Sequence, residues 1–158
     1  MDDQTLNLLK YPIGIFQWNG NPNSEEIKKA IEELELFPEE LKKSLAGVTK
    51  ETLKNRYRPQ GWTIAQVVHH LADSHMHSYL RFKHAILEDI PSIKDYKEAD
   101  WAMLEDASNI DISCSIDLLT ALHKRWTGFL NLCSEAQLSR TYFHPERDKY
   151  YPLHTTIL

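Results

Sequence analysis

Glycine is scarce, with five residues in 158, and periodic segments dominate the chain, which points to helices. Cysteine is scarcer still. Cys114 and Cys133 are the only two, their spacing matches no zinc motif, and a single pair makes no disulfide framework. Both are expected to be reduced packing residues. Dense clusters of Lys and Arg are missing, and the net charge is −5. That excludes binding that rests on neutralising phosphates, so neither nucleic acid nor an anionic membrane is an expected partner. No apolar run approaches the ~20 residues of a membrane span. The opening MDDQTLNLLK lacks the charged and apolar regions of a secretory signal, so a cytoplasmic protein is expected. Repeats and low-complexity tracts are absent as well.

What is present suits one domain over residues 1–158, with 42% apolar residues to fill a single core. Residues 1–23 contain YPIGIFQWNGNP, where Pro and Gly oppose a helix. The expectation is an extended arm lying on the domain through Ile13, Ile15 and Phe16. Asn23, followed three residues later by Glu26, is a helix-start signature. A helix is expected from about Ser24 to Ala46, bent or split at Pro38 and ended by Gly47. Thr49 caps a short turn through Leu53. Thr63 caps a long helix from Ile64 to about Glu88. A short helix is expected around Glu98–Leu104, and a third long helix runs from Ser113 or Ser115 to about Cys133. Its stripe of Ile116, Leu119, Leu122, Trp126, Phe129 and Cys133 follows three- and four-residue steps. Gln137 and Leu138 belong to a short turn, and TYFHPERDKYY reads as a loop or small hairpin. Pro152 suits a first helical position, so LHTTIL reads as the start of a fourth helix, cut off at Leu158.

The stretch VVHHLADSHMH, Val67–His77, holds four of the eight histidines. On a helix advancing about 100° per residue, Ile64, Val67, Leu71, His75, Ser78 and Phe82 share a face. His70, Asp73 and His77 form a row on one flank, continued by His84. That row has the spacing of metal ligands, and equally that of a solvated polar flank. His75 on the apolar face reads as a hydrogen-bonded core residue. His69 points away, toward a second apolar strip of Met76, Leu80 and Leu87; with Asp73 it could form a simple ion pair. A helix apolar on two sides is central in a bundle or lies at a subunit interface. HExxH is absent, and further ligands would have to come from a facing helix. His123, His144 and His154 are candidates, the second read as a loop residue before Pro145 and the third as a helix-start residue. Trp62 and Trp126 read as core anchors.

Four stretches taken together are familiar: YPIG at 11–14, YRPQGWTIAQVVHHLADSHMHSYLRFK at 57–83, LHKRWT at 122–127 and FHPE at 143–146. In order and over nearly the whole chain, they resemble the YfiT-like branch of the DinB superfamily. The run GGWTxxQVVHHLADSHM is its most characteristic motif, with Gln60 standing here for the first Gly. The resemblance implies an all-α four-helix bundle, commonly a homodimer. It implies a divalent metal, zinc or nickel, held by three histidines. One is His70; the other two belong to a WHxxxH pattern on the last helix, which would lie beyond Leu158. No residue present matches that pair, and the resemblance assigns no ligand role to His144 or His154. His75 then packs or supports.

A three-histidine site leaves positions open for water or substrate. The resemblance therefore implies a metal-dependent hydrolase acting on a small molecule. A metal-dependent S-transferase using a small thiol such as bacillithiol needs the same ligands, and a non-catalytic metal-binding or structural module is the third reading. Asp73 either orients a ligand histidine or is a surface carboxylate.

Overall fold

The structure is a computed structural model and describes residues 2–15 and 21–157. Three long helices dominate it: α2 (Ser24–Ser44), α4 (Ile64–Leu87) and α6 (Ser113–Leu130). They are preceded by α1 (Asp3–Lys10) and joined through the single turns α3 (Lys50–Leu53) and α5 (Glu98–Trp101). After α6 come the turn α7 (Glu135–Leu138), a hairpin of β1 (Thr141–His144) and β2 (Lys149–Pro152), and α8 (His154–Ile157). α2 and α4 both pack on α6, and α8 lies against α2, giving a four-helix arrangement with one short member.

Helix starts follow side-chain chemistry. Asn23 accepts from the backbone N–H of Glu25 and Glu26, and Glu26 reaches back to the N–H of Asn23. Thr63 and Gln66 form the same reciprocal pair at the start of α4, and Ser134 and Gln137 at α7. Gly47 stands just beyond α2 with φ +78, a left-handed geometry that favours glycine. The far end of α4 is finished by a distant residue. Arg140 donates to the carbonyls of Ala85 and Glu88, carbonyls that a helix C-terminus leaves without partners.

Pro38 sits inside α2 without breaking it. Lacking an N–H, it cannot bond the carbonyl four residues earlier, at Leu34. His123 of α6 takes that place: its Nδ1 donates to the Leu34 carbonyl at 2.6 Å. With Nδ1–H fixed as donor, His123 Nε2 is an acceptor, and His75 Nδ1 donates to it at 2.7 Å. Phe37 stacks on His123 at 5.2 Å and tilts onto His75 at 5.0 Å. This makes His75 a hydrogen-bonded interior residue, and it ties the three long helices at one level.

The core combines Ala30 and Ile31 of α2, Phe82 and Ala85 of α4, and Trp126 and Leu130 of α6. Leu138, Tyr142, Leu153 and Ile157 close it. On α4 the deepest positions are Ala65, Gln66, Val68, Ala72, Phe82 and Ala85, rotated from the face of Val67 and Leu71. The small alanines let α4 approach its neighbours closely, whereas the helical wheel is weighted by large residues. Leu119, Leu122 and Trp126 of the α6 stripe are buried as expected. In the second strip, Leu80 and Leu87 are exposed.

Four expectations need correction. Residues 3–10 are helical, not extended: Asp2 accepts from the Thr5 N–H and starts α1, and the Pro and Gly that oppose helix lie beyond it. Ile13 and Ile15 are exposed instead of lying on the core, and Phe16 lies outside the described residues. Pro152 is the last residue of β2, opposite Thr141, and the helix begins two residues later, at His154. Cys114, expected to pack, is exposed; Cys133 is half-buried, and both are free thiols.

Candidate functional site

His70 stands two turns into α4, half-buried, with Trp62 tilted against it at 4.7 Å. The Tyr96 hydroxyl faces its Nδ1 at 3.5 Å, a long contact, and no hydrogen bond to Nε2 occurs among the described residues. Burial lowers its pKa, opposed by the negative charges of Glu98 and Asp73. The ring is therefore neutral at neutral pH, the state that can ligate a metal. Asp73 makes no hydrogen bond to it. Burial raises the Asp73 pKa, aided by nearby Asp106 and opposed by His70.

The other histidines of the segment separate by their partners. His69 is fully engaged: Nε2 donates to the Asn109 carbonyl at 2.8 Å, so Nδ1 accepts from Ser115 at 2.7 Å. It fastens α4 to the loop before α6. His77 stacks face to face on Tyr96 at 4.1 Å and meets the edge of Trp101. His84 bonds Glu88 on the surface. His75 and His123 occupy each other, and burial pushes the His75 pKa down to about 4. Among the described residues, no three His, Cys, Asp or Glu side chains converge to hold a metal. The residues present offer His70 as one donor with a free nitrogen, not a full ligand set.

His144 is not a loop residue. It ends β1, is 7% exposed, and its Nε2 faces Asp95 Oδ1 at 3.3 Å. The second Asp95 oxygen accepts from the Glu146 N–H at 3.1 Å. Residues 91–93 run beside β1, bonded through the backbone of Phe143, and this brings Asp95 to His144. Beside them lies a cavity of about 700 Å³. Ser74 and Arg81 of α4 face it, with Tyr96, Tyr142, His144 and Tyr151 around it. Sequence reasoning missed Arg81, Asp95 and His144 as a group. One signal was available: His70, Ser74, His77 and Arg81, at steps of four, three and four, fall on one face of α4.

The helical bundle is matched in known proteins. A model of the DinB superfamily matches residues 33–157, and the chain belongs to that superfamily, in its YfiT-like branch. It is 40% identical over 149 residues to the "Putative metal-dependent hydrolase YfiT" of Bacillus subtilis, covering 94% of this chain and 84% of that protein. A protein of the same description from Oceanobacillus iheyensis is 47% identical over 137 residues, covering 87% of this chain and 79% of its own. The solved structure of Bacillus subtilis YfiT, a four-helix bundle of unusual topology, superposes with a TM-score of 0.92. That match covers 95% of this chain and 86% of that one.

Proposed function

We propose that this chain is a metal-dependent hydrolase of a small-molecule substrate, with His70 a metal ligand. Its relatives carry that description. The observation that carries the assignment to His70 is local. It has a nitrogen free of partners among the described residues and a ring that burial keeps neutral, whereas both nitrogens of His69 and of His123 are spent on structural hydrogen bonds and His75 is bonded to His123 in the interior. The metal is zinc or nickel, and the resemblance assigns the remaining two ligands to a histidine pair that none of these 158 residues matches. A divalent ion in such a site lowers the pKa of bound water toward ~7. What the described residues contribute is the holding of His70. Trp62 fixes one side of its ring, and Tyr96 faces its Nδ1.

In this reading residues 1–158 form a single domain, acting in the cytoplasm as a homodimer. The exposed Leu80 and Leu87 of α4 are compatible with a subunit contact.

The test is metal content and ester hydrolysis in a chain continued to the length of its relatives, beside its His70→Ala variant. One zinc or nickel per chain, lost in the variant together with thiol-independent hydrolysis, is the expected result. Turnover only with an added small thiol would replace the hydrolase by an S-transferase. Failure to take up metal would leave a structural module.

A further inference from the structure

We propose that Trp62 and Tyr96 are positioning residues of His70: they hold its ring so that Nδ1 keeps the proton and Nε2 is the nitrogen offered to a metal ion. This role rests on the hydrolase reading, in which His70 is a ligand. His77, in the same row of α4, then supports Tyr96 and is not itself a ligand.

Tyr96 occupies the Nδ1 side. Its hydroxyl stands 3.5 Å from His70 Nδ1, and the two rings lie at 29° to one another. On the line between these atoms, an ion at the usual ~2.1 Å from Nδ1 would stand about 1.4 Å from the hydroxyl oxygen, inside any metal–oxygen bond. Nδ1 is thus closed to a metal by a group that can accept from Nδ1–H. The partner of one ring nitrogen decides which nitrogen is left to ligate. Tyr96 is itself held in place. Its ring lies flat on His77, centroids 4.1 Å apart at 6°, and meets the edge of Trp101 at 5.0 Å. The backbone ahead of it is bonded to β1, through Ile93 and Pro91 to Phe143. Asp95 is fixed by His144 and the Glu146 N–H.

Trp62 supplies the second contact. Its indole is half-buried, lies outside the core cluster and tilts against the His70 ring at 4.7 Å. The loop that presents it has no slack. Arg56 and Thr63 pair across it as an isolated bridge. The Tyr57 N–H donates to the Trp62 carbonyl at 3.3 Å, and the Arg56 guanidinium donates to the Gly61 carbonyl. A Cβ at Gly61 would stand 2.6 Å from Arg58 Cγ and 2.9 Å from Tyr57 Cε1. Gln60 before it takes φ +60. Strain of this kind persists where the surrounding structure fixes a functional side chain.

The test uses the chain continued to the length of its relatives, with isotopically labelled histidine. Without metal, in chelator at mildly alkaline pH, long-range proton–nitrogen spectra show which His70 nitrogen carries the proton; His70→Ala assigns the signals. The proton is expected on Nδ1. Tyr96→Phe keeps the stack and loses the hydroxyl, and it should move the balance toward Nε2. With NMR-active cadmium as the probe, coupling of the metal to Nε2 is expected. Tyr96→Phe and Trp62→Leu should each weaken cadmium about ten-fold or more. Trp62→Phe should recover most of that loss, and His77→Phe, which keeps the stack, should leave affinity and coupling unchanged. A proton mainly on Nε2, the same balance in Tyr96→Phe, or cadmium coupled to Nδ1 overturns the role of Tyr96. Unchanged affinity in Trp62→Leu overturns that of Trp62, and lost binding in His77→Phe overturns that of His77. A chain that takes up no metal fails the hydrolase reading, and the metal-free spectra then decide the role of Tyr96 by themselves.

Discussion

Two parts of α4 handle their polar groups in opposite ways. Around His75 the imidazoles are tied to protein groups: His75 donates to His123, His123 donates to Leu34, and Phe37 stacks on His123 and tilts onto His75. Only the Trp126 Nε1 beside them is left without a partner among the described residues. Along the face of His70 and Arg81 some groups are left incomplete among the described residues. His70 has a free nitrogen, Arg81 has no counter-ion among the described residues, and His144 across the cavity has an unfilled Nδ1. Both regions are rich in imidazole, and both lower histidine pKa values by burial. The difference lies in saturation. A closed network holds elements together, whereas open valences facing a cavity are what a ligand completes.

The sharpest way to break this contrast is to cut each region in turn. His123→Leu orphans the Leu34 carbonyl and the His75 donor together. It should cost about 3 kcal/mol in denaturant unfolding. Adding Pro38→Ala restores an N–H to Leu34, so the double variant should recover part of that loss. A strictly additive pair would show that His123 does not stand in for the missing amide.

Acid should act on the same network. Folding holds the His75 pKa near 4, below its unfolded value of 6.5. The unfolded chain therefore binds more protons between those values. Stability is full above pH 6.5 and falls as pH drops toward 4, by up to about 3 kcal/mol from His75. Unfolding midpoints measured across that window should lose this slope in His75→Phe.

The open region should respond weakly. Arg81→Met removes a half-buried, unpaired charge, and it should leave stability unchanged or raise it by up to about 1 kcal/mol. A large loss instead would place Arg81 among the closed contacts. A comparably small effect is expected at Gln60, whose φ of +60 is strained for a side chain. Gln60→Gly should raise the unfolding free energy by about 0.5–1 kcal/mol, read from the midpoint of chemical denaturation.

Much of the scaffold was legible because its signals are local. Asn23, Thr49 and Thr63 each accept from a backbone N–H a few residues on, and each opens a helix. The assignment of Pro152 failed because strand pairing with Thr141, a tertiary matter, decides its place. The inward face of α4 was displaced because alanines mark close approach without adding hydrophobicity. Of the site, His70 was reached through resemblance, since spacing alone could not separate it from a polar flank. His75 was legible from its apolar neighbours. His144 was not, because its burial depends on Asp95 and on the backbone of 91–93, remote in sequence.

Pro38 carries one more consequence. An isolated α2 has a gap in its backbone ladder at Leu34 that local sequence cannot close; only docking of α6 supplies the donor. The middle of α2 and the middle of α6 should therefore open as one cooperative unit. In native-state hydrogen exchange, amides flanking Pro38 should share the opening free energy of those around His123, and they should lose protection together when that imidazole is removed.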